Sequence, residues 1–201
     1  MKKSDKKILF FMPLIGGGGV EKNFFIIAKF LSKKFKKIYI CSTYIKNKPK
    51  LSNNIIFLNR KNTKIKKHIL IYLISLFKLF KFLLSHKDVT ILSFQANIYC
   101  IIISKLFKSK VIIRSNASPS GWANNYLKKN IFKFFLKKSD EIIVNSRLFQ
   151  REMKRNFNVK SKLIYNPLNK NEVIKLSKIN KKVDFFDKTK NLKVLNIGRM
   201  T

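Results

Sequence analysis

The chain has 201 residues, enough for one domain and the opening of another, and 46% of them are apolar, which excludes a disordered chain. Its formal net charge is +36, yet only six of the 45 basic residues are arginine, and the lysines are spread along the whole length beside abundant isoleucine, asparagine and phenylalanine. That spread reads as genomic base composition more than as a phosphate-reading face, which favours arginine, so nucleic acid is not the expected partner; an anionic membrane surface would still attract a surface this basic.

Lysines before the apolar run 8–15 imitate a signal peptide, but Pro13 interrupts the run and no small-residue cleavage site follows, so a strand over 8–11 is expected. Next come four of the six glycines, Gly16, Gly17, Gly18 and Gly19, and then a helix over 20–34. Glycines at a strand-to-helix joint can bring bare N–H groups to a ligand, and the helix start adds unpaired donors and a positive dipole end that suit a phosphate. A dinucleotide fingerprint fails, because its third glycine would fall on Glu21 or Lys22 and no acid follows the second strand, where Ser42-Thr43-Tyr44 stands. A triphosphate P-loop fails as well, since no Gly-Lys-Ser/Thr follows. A looser loop-plus-helix anion site remains, beside the plain alternative of a flexible turn.

Further strands are expected at 38–41, 55–58, 89–94, 110–114, 141–145 and 163–165, with helices at 63–85, 96–107, 124–138 and 146–156. Near-continuous apolar strands alternating with helices argue for an α/β, Rossmann-like parallel sheet with helices on both faces. Ligands of such sheets bind at the carboxyl ends of the strands, where the glycine loop, Ser93, Asn97, Arg114 and Asn116 all fall. Cys41 and Cys100, with no metal or redox spacing, read as core residues of a reduced, cytoplasmic protein, and no metal is expected. His68 and His86 flank the long helix and are expected at the surface.

The helix at 63–85 holds an uninterrupted apolar core only from 69 to 77, broken by Lys78 and Lys81, whereas spanning a bilayer takes about 20 residues. Its polar positions Ser75, Lys78, Lys81 and Ser85 make one stripe, so the opposite face is expected to be buried on the sheet, with a bilayer on one flank left open. The helix at 124–138 interleaves aromatic and basic residues; a core-packed helix with a solvated back and a helix lying on a membrane surface are both open. Residues 169–191 are polar and lysine-rich and read as a linker with room for one short helix, and 192–201 as the first strand of a second domain that is missing. Residues 1–168 then form the first domain.

A strand, then Pro-Leu-Ile-Gly-Gly-Gly-Gly-Val-Glu-Lys, then a helix ending Leu-Ser-Lys-Lys resembles the N-terminal half of family 4 retaining glycosyltransferases, which have the GT-B fold. Ile91-Leu-Ser-Phe-Gln-Ala-Asn97, Ser139-Asp-Glu-Ile-Ile-Val-Asn-Ser146, Leu163-Ile-Tyr-Asn-Pro-Leu168 and Leu195-Asn-Ile-Gly-Arg-Met-Thr201 are similar to the family's later stretches, in the same order. The resemblance implies a transferase that takes a nucleotide-sugar as donor substrate, without a cofactor, and passes a hexose with retention to a surface-polysaccharide or lipid-linked glycan acceptor. It implies that Gly16 to Gly19 and Arg199 bind the donor diphosphate, and that the fragment lacks most of the donor site and is inactive alone. Glu21, Ser93, Asn97, Arg114 and Asn116 are the acceptor-side candidates, each also open to a purely structural role, and the catalytic residues stay unknown. Many relatives carry a histidine near this turn; its absence here, where Asn116 stands, argues against histidine-assisted chemistry and fits a departing phosphate that itself takes the acceptor proton. A cytoplasmic place, extending to the inner face of the membrane, is expected. The alternative is a non-catalytic basic α/β module that binds anionic membrane or nucleic acid.

Overall fold

A computed structural model describes residues 3–46, 48–59, 67–121, 125–179 and 194, in two units, Met1–Pro167 and Leu168–Thr201. In the first unit the chain runs β1 (Lys7–Phe11), β2 (Leu14–Ile15), α1 (Gly19–Ser32), β3 (Ile38–Cys41), β4 (Tyr44–Ile45), β5 (Ile55–Phe57) and α2 (His68–Ser85). It continues through β6 (Val89–Ser93), α3 (Asn97–Leu106), β7 (Lys110–Ser115), a 3-10 turn (Pro119–Gly121), α4 (Tyr126–Leu136), β8 (Glu141–Val144), α5 (Arg147–Phe157) and β9 (Lys162–Leu163). The second unit contains α6 (Lys170–Ser177), capped by Asn169, whose side chain accepts from the Glu172 N–H at 3.4 Å. The segment expected to open a second domain, 192–201, which includes Arg199, lies outside the described residues apart from Val194.

Seven strands form one parallel sheet in the order β5-β3-β1-β6-β7-β8-β9, a Rossmann-like α/β fold as the apolar strands foretell. The helices divide unequally between its faces. Phe24 and Ala28 of α1 pack on Ile8, Phe10, Ile38 and Ile40. The other face meets α2, α3, α4 and α5 through Leu79, Cys100, Leu136 and Met153, which cover the alternate residues Leu9, Phe11, Ile91, Val111 and Val144. Local signals set the helix ends. Asn125 caps α4 by accepting from Lys128 N–H at 2.8 Å, Ser146 caps α5 by accepting from Phe149 N–H at 3.1 Å, and Asn158 at φ 50° ends α5 in the left-handed region.

Three expectations need correction. Half of the polar stripe of α2 turns inward: Ser75 is buried and donates to Thr43 Oγ1 at 2.7 Å, and Lys78 Nζ reaches Asn59 Oδ1 at 2.9 Å, whereas Lys81 and Ser85 stay exposed, as do the apolar Leu73 and Phe77. The hydroxyl and ammonium groups bury because polar partners wait at the ends of the strands, and burial lowers the pKa of Lys78. His86 is half-buried, not a free surface group; its ring stacks on Phe82 at 4.0 Å and meets Tyr39 edge-on at 5.7 Å. Finally, the strand expected at 163–165 ends at Leu163, and a small second sheet of β2 and β4 was not foreseen.

Both cysteines are buried, and burial pushes each thiol up to about 12, only partly offset by Lys78 at Cys41 and by the Ser93 and Ser104 hydroxyls at Cys100. A disulfide reagent at mildly alkaline pH should therefore label neither thiol in the folded chain and both in denaturant. Rapid labelling of the native protein would contradict this packing.

Candidate functional site

Parallel pairing brings the C-terminal ends of β1, β6 and β7 to one edge of the sheet, and the loops that leave these strands meet there. Under the first of them sits a cluster of three phenylalanines. Phe10 of β1 meets Phe24 of α1 edge-on at 5.3 Å, and Phe94, just past β6, lies 5.0 Å from Phe24 and 5.9 Å from Phe10. These contacts fix the start of α1 against the sheet.

The glycine loop lies directly above. Gly16 N–H donates to Glu21 Oε1 at 3.3 Å, so the carboxylate braces the loop from the first turn of α1. Gly17 has φ +101°, which demands glycine, while a Cβ on Gly19 would meet nothing within 4 Å, so no internal contact requires the bare backbone there. Gly18 is the N-cap of α1 and brings no side-chain cap. Among the described residues, no hydrogen bond occupies the N–H groups of Gly17 and Gly18. Open space therefore adjoins unpaired donors at a positive helix end, the physical requirement for binding an anion.

Four of the five acceptor-side candidates come together in one hydrogen-bonded network. The buried Ser93 hydroxyl stands 2.8 Å from Asn97 Oδ1 and 3.0 Å from the Gln95 carbonyl, and Asn97 Nδ2 donates to the Arg114 carbonyl at 3.4 Å. Asn116 Nδ2 donates to the carbonyls of Phe94 and Arg114, both at 3.4 Å, and so bridges the ends of β6 and β7; its Oδ1 is buried without a partner. Glu21 is not part of this network, because it serves the glycine loop.

Arg114 is 2% exposed, and its Nη2 donates to the Ile164 carbonyl at 3.0 Å and Asn166 Oδ1 at 3.0 Å. It clasps the segment that leaves β9. Burial lowers its pKa, though a guanidinium stays charged at neutral pH. Its Nε is buried without a partner.

Two functional-site residues escape a sequence reading. Gln95 Oε1 accepts from Leu14 N–H at 3.2 Å and thereby ties the glycine-loop segment to the end of β6; this pair spans 81 positions and leaves no local pattern. Glu152 is buried on α5 and accepts from the Ser118 hydroxyl at 2.7 Å, which holds the loop after β7. A signal for Glu152 existed, because it is an acid beside Met153 on the apolar face of α5. Ala96, between Gln95 and Asn97, adopts φ 52°, a left-handed conformation costly for a residue with a Cβ.

A cavity of about 670 Å³ opens between α3 and α4 beside this network. Phe94, Ile98, Ile102, Ile131 and Phe135 make its walls mostly apolar, with Asn97, Arg114, Asn116 and Lys128 among its polar groups. Val20, in the first turn of α1, also lines it, so the cavity and the glycine loop adjoin. A few polar groups within an apolar wall suit an organic ligand with a polar end. Among the described residues no group of three or more His, Cys, Asp or Glu side chains could hold a metal.

No family model matches the chain, and no curated protein matches it. Solved structures do. The chain is similar to Anabaena Alr3699/HepE in complex with UDP and glucose, at 15% identity over 83% of this chain and 46% of that one, with a TM-score of 0.57. The same protein in complex with UDP-glucose aligns at 16% identity over 85% of this chain and 48% of that one, with a TM-score of 0.54. Phytolacca americana UGT2, complexed with UDP-2fluoro-glucose and pterostilbene, aligns at 9% identity over 89% and 58%, with a TM-score of 0.52. The chain spans about half the length of the Anabaena protein. Its fold is that of part of the GT-B glycosyltransferases, and at these identities the likeness concerns the fold.

The loop geometry separates two neighbouring glycines. Gly17→Ala should destabilise the domain by about 1–2 kcal/mol through its positive φ, whereas Gly19→Ala should leave the melting temperature unchanged or higher. Equal losses in thermal denaturation would contradict the loop conformation.

Proposed function

We propose that this chain is the acceptor-side half of a glycosyltransferase that moves a hexose from a nucleotide-sugar donor to a glycan or lipid-linked acceptor in surface-polysaccharide synthesis. The observation that carries the reading is the meeting, at one sheet edge, of an open glycine loop on a helix start and a large apolar cavity with a polar end. The fold supports it, because the similar Anabaena protein was solved in complex with UDP-glucose.

Glycosyl transfer builds negative charge on the departing diphosphate. The N–H groups of Gly17 and Gly18 and the dipole of α1 supply fixed positive potential for that charge, without reorganisation at the moment of reaction. Arg199 would add a fork of donors from the donor side. The cavity holds the acceptor, with Asn116 and Lys128 toward its hydroxyl end and Ile102, Ile131 and Phe135 along its apolar part. The resemblance of the motifs to family 4 enzymes supports retention, with the departing phosphate accepting the acceptor proton. Neither a cofactor nor a metal takes part, and the nucleotide-sugar is a substrate. The place of work is the cytoplasm, at the inner membrane face.

A labelled nucleotide-sugar incubated with the polypeptide that carries this chain and with membrane lipids tests the proposal. Label should pass to an acceptor with its anomeric configuration retained, and Ile131→Ser should raise the acceptor KM roughly tenfold with little change for the donor. An inverted product, or binding of acidic lipid and DNA without any transfer, would overturn it.

A further inference from the structure

Helix α2 carries apolar side chains that the sheet does not cover. Leu70, Leu73, Phe77 and Leu84 recur at helical spacing along its outer side, and Phe77 is 63% exposed. Its neighbour α3 turns Tyr99 and Leu106 outward, and α4 beyond it exposes Leu127 and Phe134. Apolar side chains exposed together on three adjacent helices mark a candidate contact surface, as contiguous apolar patches on soluble proteins commonly do.

The charge pattern of these helices selects the occupant. None of α2, α3 and α4 contains an acidic residue, whereas Lys81, Lys128 and Lys129 belong to them. A second copy would set cations against cations, and nucleic acid would leave the leucines wet. A bilayer with anionic headgroups takes both the apolar side chains and the ammonium groups.

We infer that the outer face of α2, flanked by α3 and α4, seats this domain on an anionic bilayer, with α2 lying in the interface. The helix does not cross. Its 18 residues are long and apolar enough to span by length and composition, but Ile71, Leu79, Phe82 and Leu83 on its inner side are buried against the sheet, and Ser75 and Lys78 hydrogen-bond there. The inference rests on the membrane-facing part of the function proposed above, but not on sugar transfer.

Sedimentation of the whole chain with vesicles of equimolar phosphatidylglycerol and phosphatidylcholine tests it. The wild type should bind, weakly to pure phosphatidylcholine, and keep part of its binding at high salt. Leu73→Ser/Phe77→Ser should bind about tenfold more weakly at an unchanged melting temperature, and Leu70→Ser/Leu84→Ser should do the same. Full binding by both variants, complete release of the wild type by salt, no binding at all, or a dimer that the variants dissociate would each overturn the inference. Transfer to a water-soluble acceptor without vesicles reads the enzymatic proposal separately, so the two can fail independently.

Discussion

Parallel pairing of β1, β6 and β7 is the constraint on which the rest depends. Strands that run the same way must each be followed by a crossover, so their carboxyl ends, and the loops that leave them, collect at one edge. The glycine loop, the turn at Ala96 and the segment after Arg114 are three such exits. They share an edge because Phe10, Leu92 and Ile112 sit in register across the three strands. Packing of Phe10, Phe24 and Phe94 then makes the edge rigid enough to hold unpaired backbone donors in place.

That edge is costly for the fold. It buries a guanidinium against neutral oxygens, leaves Arg114 Nε and Asn116 Oδ1 unpartnered, and keeps Ala96 in a left-handed conformation. Unpaired buried polar atoms typically cost about 1–3 kcal/mol each. Asn59 Nδ2 and Ser161 Oγ are buried without a partner elsewhere, but Arg114 Nε and Asn116 Oδ1 belong to residues that line the cavity, which agrees with a binding edge. By contrast, Asp140 at the opposite end of the sheet is fully employed. Burial alone would raise its pKa, but bonds from Lys105 Nζ and Val111 N–H, both at 2.7 Å, hold the carboxyl below its ordinary value.

Much of the architecture was legible because parallel strands are apolar on both faces, as Ile38–Cys41 and Val89–Ser93 are. The glycine loop was legible through four adjacent residues without side chains. What stayed hidden depends on contacts remote in sequence. Lysine and serine on α2 looked solvent-facing, since nothing nearby in the chain announces that Thr43 and Asn59 receive them. Arg114 was open to a ligand or a structural role, and nothing nearby in the chain announces that it meets the carbonyl of Ile164, fifty positions on. Gln95 and Glu152 belong to the same class.

The central claim is that the carboxyl edge, and not the lysine-rich surface, receives a nucleotide. Amide chemical shifts of the chain titrated with a nucleoside diphosphate test this most directly. Saturable shifts confined to Gly17, Gly18, Gly19, Val20 and the turn around Ala96 are the result the account predicts. Small, unsaturable shifts scattered over the lysine-bearing helices, with the glycine loop silent, would contradict it.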